Sequence, residues 1–167
     1  MKITIIGKMG AGKSTFATKL GKATGIEATH MDKIYYRRDW SHITREELVK
    51  EIERVFQRKN WIIDGNYQHT IDQRLNAADT IIYFNLPTYL CLYRAVKRAF
   101  IKNDFVKDKI EGLPNKVSWK LLKLIATYKS KENSQKIAAL RKNKQIYIIK
   151  NDKDAKIVLQ LITADLR

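Results

Sequence analysis

Three glycines, two lysines and two hydroxyls fall between Gly7 and Thr15 at spacings that suit one task, gripping a phosphate chain. The run Gly7-Lys8-Met9-Gly10-Ala11-Gly12-Lys13-Ser14 satisfies G-x-x-x-x-G-K-[ST] at every fixed position, the Walker A pattern. Glycine reaches positive φ with no Cβ in the way, so the backbone curls around an anion. Successive N–H groups then point inward as a nest, and the helix that follows adds its positive end. In that geometry the amides from Gly10 through Ala11 to Thr15 would grip the terminal phosphates of a nucleoside triphosphate. Lys13 reaches the β- and γ-phosphates, and the Ser14 hydroxyl ligates Mg²⁺. The plain alternative is a glycine-rich strand-to-helix turn that binds nothing.

Further candidates follow from where ligands sit in sheets of this kind, beyond the carboxyl ends of the strands. Asp64 ends the apolar run Trp61-Ile62-Ile63 and is placed to order water on Mg²⁺ beside Ser14; its other reading is a turn former with Gly65. Asp32 follows a short second strand and could orient an acceptor hydroxyl as nucleophile, or serve only as an N-cap or loop carboxylate. Arg94 and Arg98, four apart, share a helix face. Phosphoryl transfer is catalysed by positioning and charge stabilisation, which an arginine pair supplies through its planar donors. The alternative is a solvated basic face with Lys97 and Lys102. Tyr35, Tyr36, Trp40 and Tyr67 flank the proposed acceptor side and could stack on a ring or simply pack. His30, His42 and His69 show no metal-ligand spacing, so no zinc is assigned.

These residues need a scaffold, and the pattern of the chain supplies one. Apolar runs predict strands over 2–6, 27–30, 61–63, 80–84 and 145–149. Helical periodicity predicts helices over 13–24, 44–59, 88–102, 115–129, 134–142 and 154–166. Thr44-Arg45-Glu46-Glu47 has capping-box spacing. Strands alternating with helices imply a mostly parallel five-stranded sheet covered on both faces, a three-layer α/β/α fold. No linker or repeat divides residues 1–167, so one domain is expected.

The chain has 167 residues and is 44% hydrophobic, enough for a real core. No stretch approaches a membrane span, no apolar leader is visible, and the lone Cys91 lies among apolar helix residues as a buried thiol. A cytoplasmic location is expected. Charge is the unusual bulk property: 33 basic residues against 17 acidic give +16. Between Arg94 and Lys150 there are 16 basic and 4 acidic residues. Such a field concentrates polyanions, nucleic acid among them, although solvated helix faces account for it equally well. Nothing in the residues fixes an oligomeric state.

Taken together, Ile5-Ile6-Gly7 through Thr15, His30-Met31-Asp32, Trp61-Ile62-Ile63-Asp64-Gly65-Asn66-Tyr67 and Phe84-Asn85-Leu86-Pro87 with Arg94-x-x-x-Arg98 resemble the adenylate-kinase-like P-loop kinases. Within that group the chain looks most like the DNA topology modulation (FlaR-type) proteins. The resemblance covers roughly residues 1 to 100. It implies a P-loop kinase fold with a small helical lid at about 101–114, and ATP and Mg²⁺ held by Lys13, Ser14 and Thr15. It also implies that Asp64 is the aspartate of the Asp-Gly segment, with Arg94 near the adenine and Arg98 near the phosphates. Two departures stand out. Adenylate kinases follow Asp-Gly with Phe-Pro-Arg, whose arginine grips the acceptor phosphate, and here the stretch is Asn66-Tyr67-Gln68. The lid region carries Lys102, Lys107 and Lys109 in place of arginines. Arg37, Arg38 or Arg74 could substitute for the missing acceptor arginine.

The expected function is an ATP-dependent phosphotransferase that joins a nucleoside triphosphate to a small-molecule acceptor. Its alternative is a nucleic-acid-binding protein, switched by nucleotide, that contacts DNA through the basic segment 94–150.

Overall fold

A computed structural model describes residues 1–37, 41–100, 118–128 and 130–164, with only the backbone at 99 and 100. The expected lid at about 101–114, its lysines, Arg38 and Trp40 lie outside the described residues.

Five strands form one parallel sheet: β1 (Lys2–Gly7), β2 (Ala28–His30), β3 (Trp61–Asp64), β4 (Thr80–Phe84) and β5 (Gln145–Ile149). Their order is β2-β3-β1-β4-β5, so the first strand lies in the middle. Eight helices are described: α1 (Lys13–Thr24), α2 (Met31–Tyr35), α3 (Arg45–Phe56), α4 (Gln68–Ala77), α5 (Thr88–Phe100), α6 (Trp119–Ala126), α7 (Ser130–Ala139) and α8 (Asp152–Ala164).

Because strand side chains alternate in direction, each strand feeds both faces of the sheet. Ile3, Ile5, Ile62, Ile82, Phe84 and Ile149 pack on one side with Phe16 and Leu20 of α1, Ala95 of α5, Ile125 of α6 and Val158 of α8. On the other side Trp61 and Ile63 meet Leu48, Ile52 and Val55 of α3. Ile6, Ile81 and Tyr83 meet Ile71 and Leu75 of α4 and Ile137 of α7. This is the expected three-layer α/β/α arrangement. Fully burying each such aliphatic side chain contributes about 1.5–3 kcal/mol.

The helix ends show why some expectations shifted. Thr44 and Glu47 make the expected capping box, at 3.1 and 2.8 Å, and α3 starts there. It stops at Phe56 rather than 59. α7 stops at Ala139 rather than 142, because Arg141 and Asn143 bond three residues back in tight turns. α6 is shorter than 115–129 within the described residues. Two helices were not anticipated. α2 is five residues long, and Asp32 sits in its first turn while His30 holds the cap position, so Asp32 is not an N-cap. α4 buries Thr70, Ile71, Arg74 and Leu75 but carries no long apolar stripe.

Candidate active site

The loop after β1 opens where the chain departs to β3 on one side and β4 on the other, the crevice in which such sheets bind ligands. Its glycines are required by space as well as by φ. At Gly7 (φ +138°) a Cβ would lie 2.3 Å from the Phe84 carbonyl oxygen. At Gly10 (φ +78°) it would lie 2.5 Å from the Cys91 carbonyl oxygen. Gly12 (φ +95°) caps α1, with no side-chain cap and no acidic residue in the first turn. The first-turn amides are therefore left to an anion.

Two lysines of the loop do different work. Lys8 is buried and turned away, donating to the Leu86 carbonyl at 3.2 Å and Thr88 Oγ1 at 2.7 Å. Lys13 arches over the loop and donates to the Lys8 carbonyl at 2.8 Å. Burial pushes the Lys13 ammonium below its usual pKa, opposed by the charges of Asp64 and then Asp32, with Arg98 adding to the lowering. Both carboxylates and Arg98 thus act on the same ammonium.

Asp64 ends β3, buried and fully engaged. Ser14 donates to its Oδ2 at 2.7 Å, and His30 Nδ1 lies 2.6 Å from its Oδ1. A carboxylate opposite requires the proton on Nδ1. His30 Nε2 then faces Thr18 Oγ1 at 3.4 Å. Asp64 is therefore not the free turn former of the alternative reading. The turn belongs to Gly65 (φ +135°), where a Cβ would meet Met31 Cβ at 2.6 Å.

The segment after Gly65 braces the loop. Asn66 Oδ1 accepts from the Gly7 amide at 3.0 Å, and its amide nitrogen donates to the Gly7 carbonyl. Tyr67 donates to Asp32 Oδ1 at 2.8 Å. Arg74, wholly buried, donates to the Gly65 carbonyl at 2.9 Å and the Tyr67 carbonyl at 3.3 Å. Burial lowers its pKa to about 10, so it stays charged at neutral pH. Arg74 is thus a strut under the backbone and cannot take the place of a surface arginine toward an acceptor. Arg37 is exposed and lies 4.0 Å from Glu47.

On the other flank Arg94 Nη1 donates to the Ala11 carbonyl at 3.3 Å, and Nη2 pairs with Asp152 at 2.7 Å. The guanidinium lies against the outside of the loop and ties it to the start of α8. Arg98, one turn further along α5, is exposed. Cys91 is buried, and burial raises its thiol pKa, as suits an inert packing residue.

The structure gathers Lys13, Ser14, Asp64 and Arg94 about the loop, with Asp32 and Arg98 within electrostatic reach of Lys13. The residues fit a Mg²⁺-bound nucleotide: a glycine cradle, a helix start without an acidic cap, and a hydroxyl–carboxylate pair at its floor. Sequence reading missed His30 and Asn66. Their partners lie 34 and 59 positions away, and only the pairing of β1, β2 and β3 brings them together.

The architecture is a P-loop kinase-like fold. Two solved structures share the fold over nearly their whole length. One is shikimate kinase from Bacteroides thetaiotaomicron, at 16% identity, covering 98% of this chain and 97% of that one with a TM-score of 0.57. The other is deoxyadenosine kinase from M. mycoides with bound dATP, at 17% identity, covering 99% of each with a TM-score of 0.60. In sequence, adenylate kinase from Thermotoga petrophila is 30% identical over 111 residues, which is 66% of this chain and 48% of that protein. The chain thus spans about half the length of the curated relative it matches. No known family profile matches it. Among the described residues no helix is long and apolar enough to cross a membrane.

Proposed function

We propose that the chain is an ATP-dependent phosphotransferase, residues 1–167 forming one kinase domain, with a small nucleotide or nucleoside-like acceptor. The observation that carries this is the Ser14–Asp64 hydrogen bond of 2.7 Å, with Asp64 within electrostatic reach of the Lys13 ammonium. A hydroxyl and a carboxylate so joined are placed to hold a metal, and the neighbouring lysine is long enough to reach phosphate.

Gly7, Gly10, Ala11, Gly12 and Thr15 present the backbone that wraps the phosphates. Lys13 leaves the Lys8 carbonyl and turns to the β- and γ-phosphates. Ser14, with Asp64 through ordered water, would hold Mg²⁺. Held there, the metal would supply charge neutralisation at the phosphates. Arg98 adds positive charge beside the transferring group, and Arg94 fixes the loop on the nucleotide side. Asp32 accepts the acceptor's hydroxyl proton. The motifs Gly7 to Thr15, His30-Met31-Asp32 and Asp64-Gly65-Asn66-Tyr67 support kinship with the FlaR-type group within this reading. The relatives lend no support to the nucleic-acid reading.

The test is ATP consumption across nucleosides, nucleoside monophosphates and small hydroxyl compounds, with Lys13→Ala as control. The expected result is turnover by the wild type and a loss of about 100-fold or more in the variant, the scale of removing one charge-stabilising donor. A folded Lys13→Ala protein turning over at the wild-type rate would overturn the reading.

A further inference from the structure

Beyond the ends of β2 and β3 lies a surface that the phosphate loop does not use. Asp32 is exposed there, its Oδ1 accepting from Tyr67 at 2.8 Å. Half-buried Tyr35 stacks on His42, with ring centroids 5.1 Å apart and planes within 6°. It also meets Tyr36 edge-on and Tyr67 at a tilt, each at 4.9 Å. A carboxylate therefore stands at the rim of an aromatic wall, within electrostatic reach of Lys13.

We propose that this surface takes a neutral, ring-bearing alcohol, a nucleoside being the type, rather than a phosphorylated acceptor. The inference rests on the phosphotransferase reading and names its second substrate.

Three observations carry it. An exposed carboxylate accepts a hydrogen bond from an alcohol but repels a phosphate group of like charge. The charge is felt locally: burial first, then Asp32, raises the pKa of both Tyr36 and Tyr67, so both hydroxyls stay protonated. Of the described guanidiniums of this segment, Arg74 lies wholly buried on the Gly65 and Tyr67 carbonyls, and exposed Arg37 faces the Glu47 carboxylate at 4.0 Å. The half-buried tyrosine rings meanwhile offer apolar edges and faces against which a planar ring loses little by leaving water.

In the transfer step the alcohol oxygen forms a bond to the γ-phosphorus. The bond from that phosphorus to the β–γ bridging oxygen breaks, and its electron pair stays on ADP. The alcohol proton passes to the Asp32 carboxylate.

The experiment measures phosphate transfer from ATP to the common ribo- and deoxynucleosides and, separately, to their 5′-monophosphates, with Mg·ATP binding followed by calorimetry on the same samples. At least one nucleoside is expected to be phosphorylated with kcat/KM about tenfold or more above its monophosphate. Asp32→Asn is expected to lower that kcat about 100-fold, with ATP affinity within about twofold of wild type. Tyr67→Phe is expected to raise the nucleoside KM more than it lowers kcat. Preference for monophosphates, or no nucleoside transfer by protein that binds Mg·ATP, overturns this inference alone. Absence of Mg·ATP binding by folded protein overturns the phosphotransferase reading beneath it.

Discussion

His30 Nδ1 lies 2.6 Å from Asp64 Oδ1, while the Ser14 hydroxyl holds the other oxygen of the same carboxylate at 2.7 Å. With both oxygens engaged, the carboxylate plane is fixed relative to the loop. An imidazole behind an acidic group that serves a metal sets its orientation, and losing such a partner typically costs about 10- to 100-fold in metal affinity. His30→Ala is therefore expected to raise, by about tenfold, the Mg²⁺ concentration that half-maximally tightens binding of a fluorescent ATP analogue. Metal-free analogue binding should stay within about twofold, and His30→Gln should recover part of the loss. An unchanged Mg²⁺ dependence would make His30 a packing residue only.

Gly10→Ala tests the loop's close approach to α5. Its Cβ would lie 2.5 Å from the Cys91 carbonyl oxygen, in a left-handed conformation that costs a non-glycine residue about 1–2 kcal/mol. Thermal stability should fall, and ATP affinity should drop about tenfold or more as the loop is pushed off α5. Gly25→Ala is the matched control. It has φ +71° with nothing within 4 Å of its Cβ, so it should lose only the conformational part of that stability and leave nucleotide binding alone.

Arg74→Ala should be among the most destabilising changes in the chain. It removes two charge-assisted hydrogen bonds to the Gly65 and Tyr67 carbonyls and opens a cavity at a fully buried site. A loss of about 2–4 kcal/mol in a urea titration is expected. A loss within about 0.5 kcal/mol, the range of ordinary surface changes, would mean the strut carries nothing.

Glu47 predicts an acid-side dependence. The Thr44 amide, helped by its hydroxyl and by Arg37, holds the Glu47 carboxyl below the usual carboxylate range. With its folded pKa depressed, its contribution is complete above about pH 4.5, the unfolded range. It fades as pH falls through the lower folded value. The stability difference between wild type and Glu47→Gln should accordingly be present at pH 6 and shrink below pH 4.5. A difference that grew on acidification would reverse the assignment.

Legibility in the sequence tracked how local each determinant is. The phosphate loop announced itself because its glycines and Lys13-Ser14 are consecutive. The five strands did so because buried parallel strands are apolar on both faces. α4 stayed hidden because Ile71 and Leu75 are its only large apolar buried residues, among His69, Asp72, Gln73 and Asn76. Asp64 could be placed beside Ser14 from its position at a strand end. The partners that lock it could not, since His30 and Asn66 act through strand pairing and carry no spacing of their own. Arg74 misled for a physical reason: a guanidinium on a polar helix reads as surface, yet its backbone acceptors lie inside.

The strand order has a further consequence. β1 separates two halves that are also separate in the chain: Asp32, Asp64 and Tyr67 come from residues 28–77, and Arg94, Arg98 and Asp152 from residues 80–164. The loop between Gly7 and Thr15 lies between these two sets of side chains. A change on one flank of the loop can therefore retune what is recognised there while the side chains of the other flank keep their own contacts.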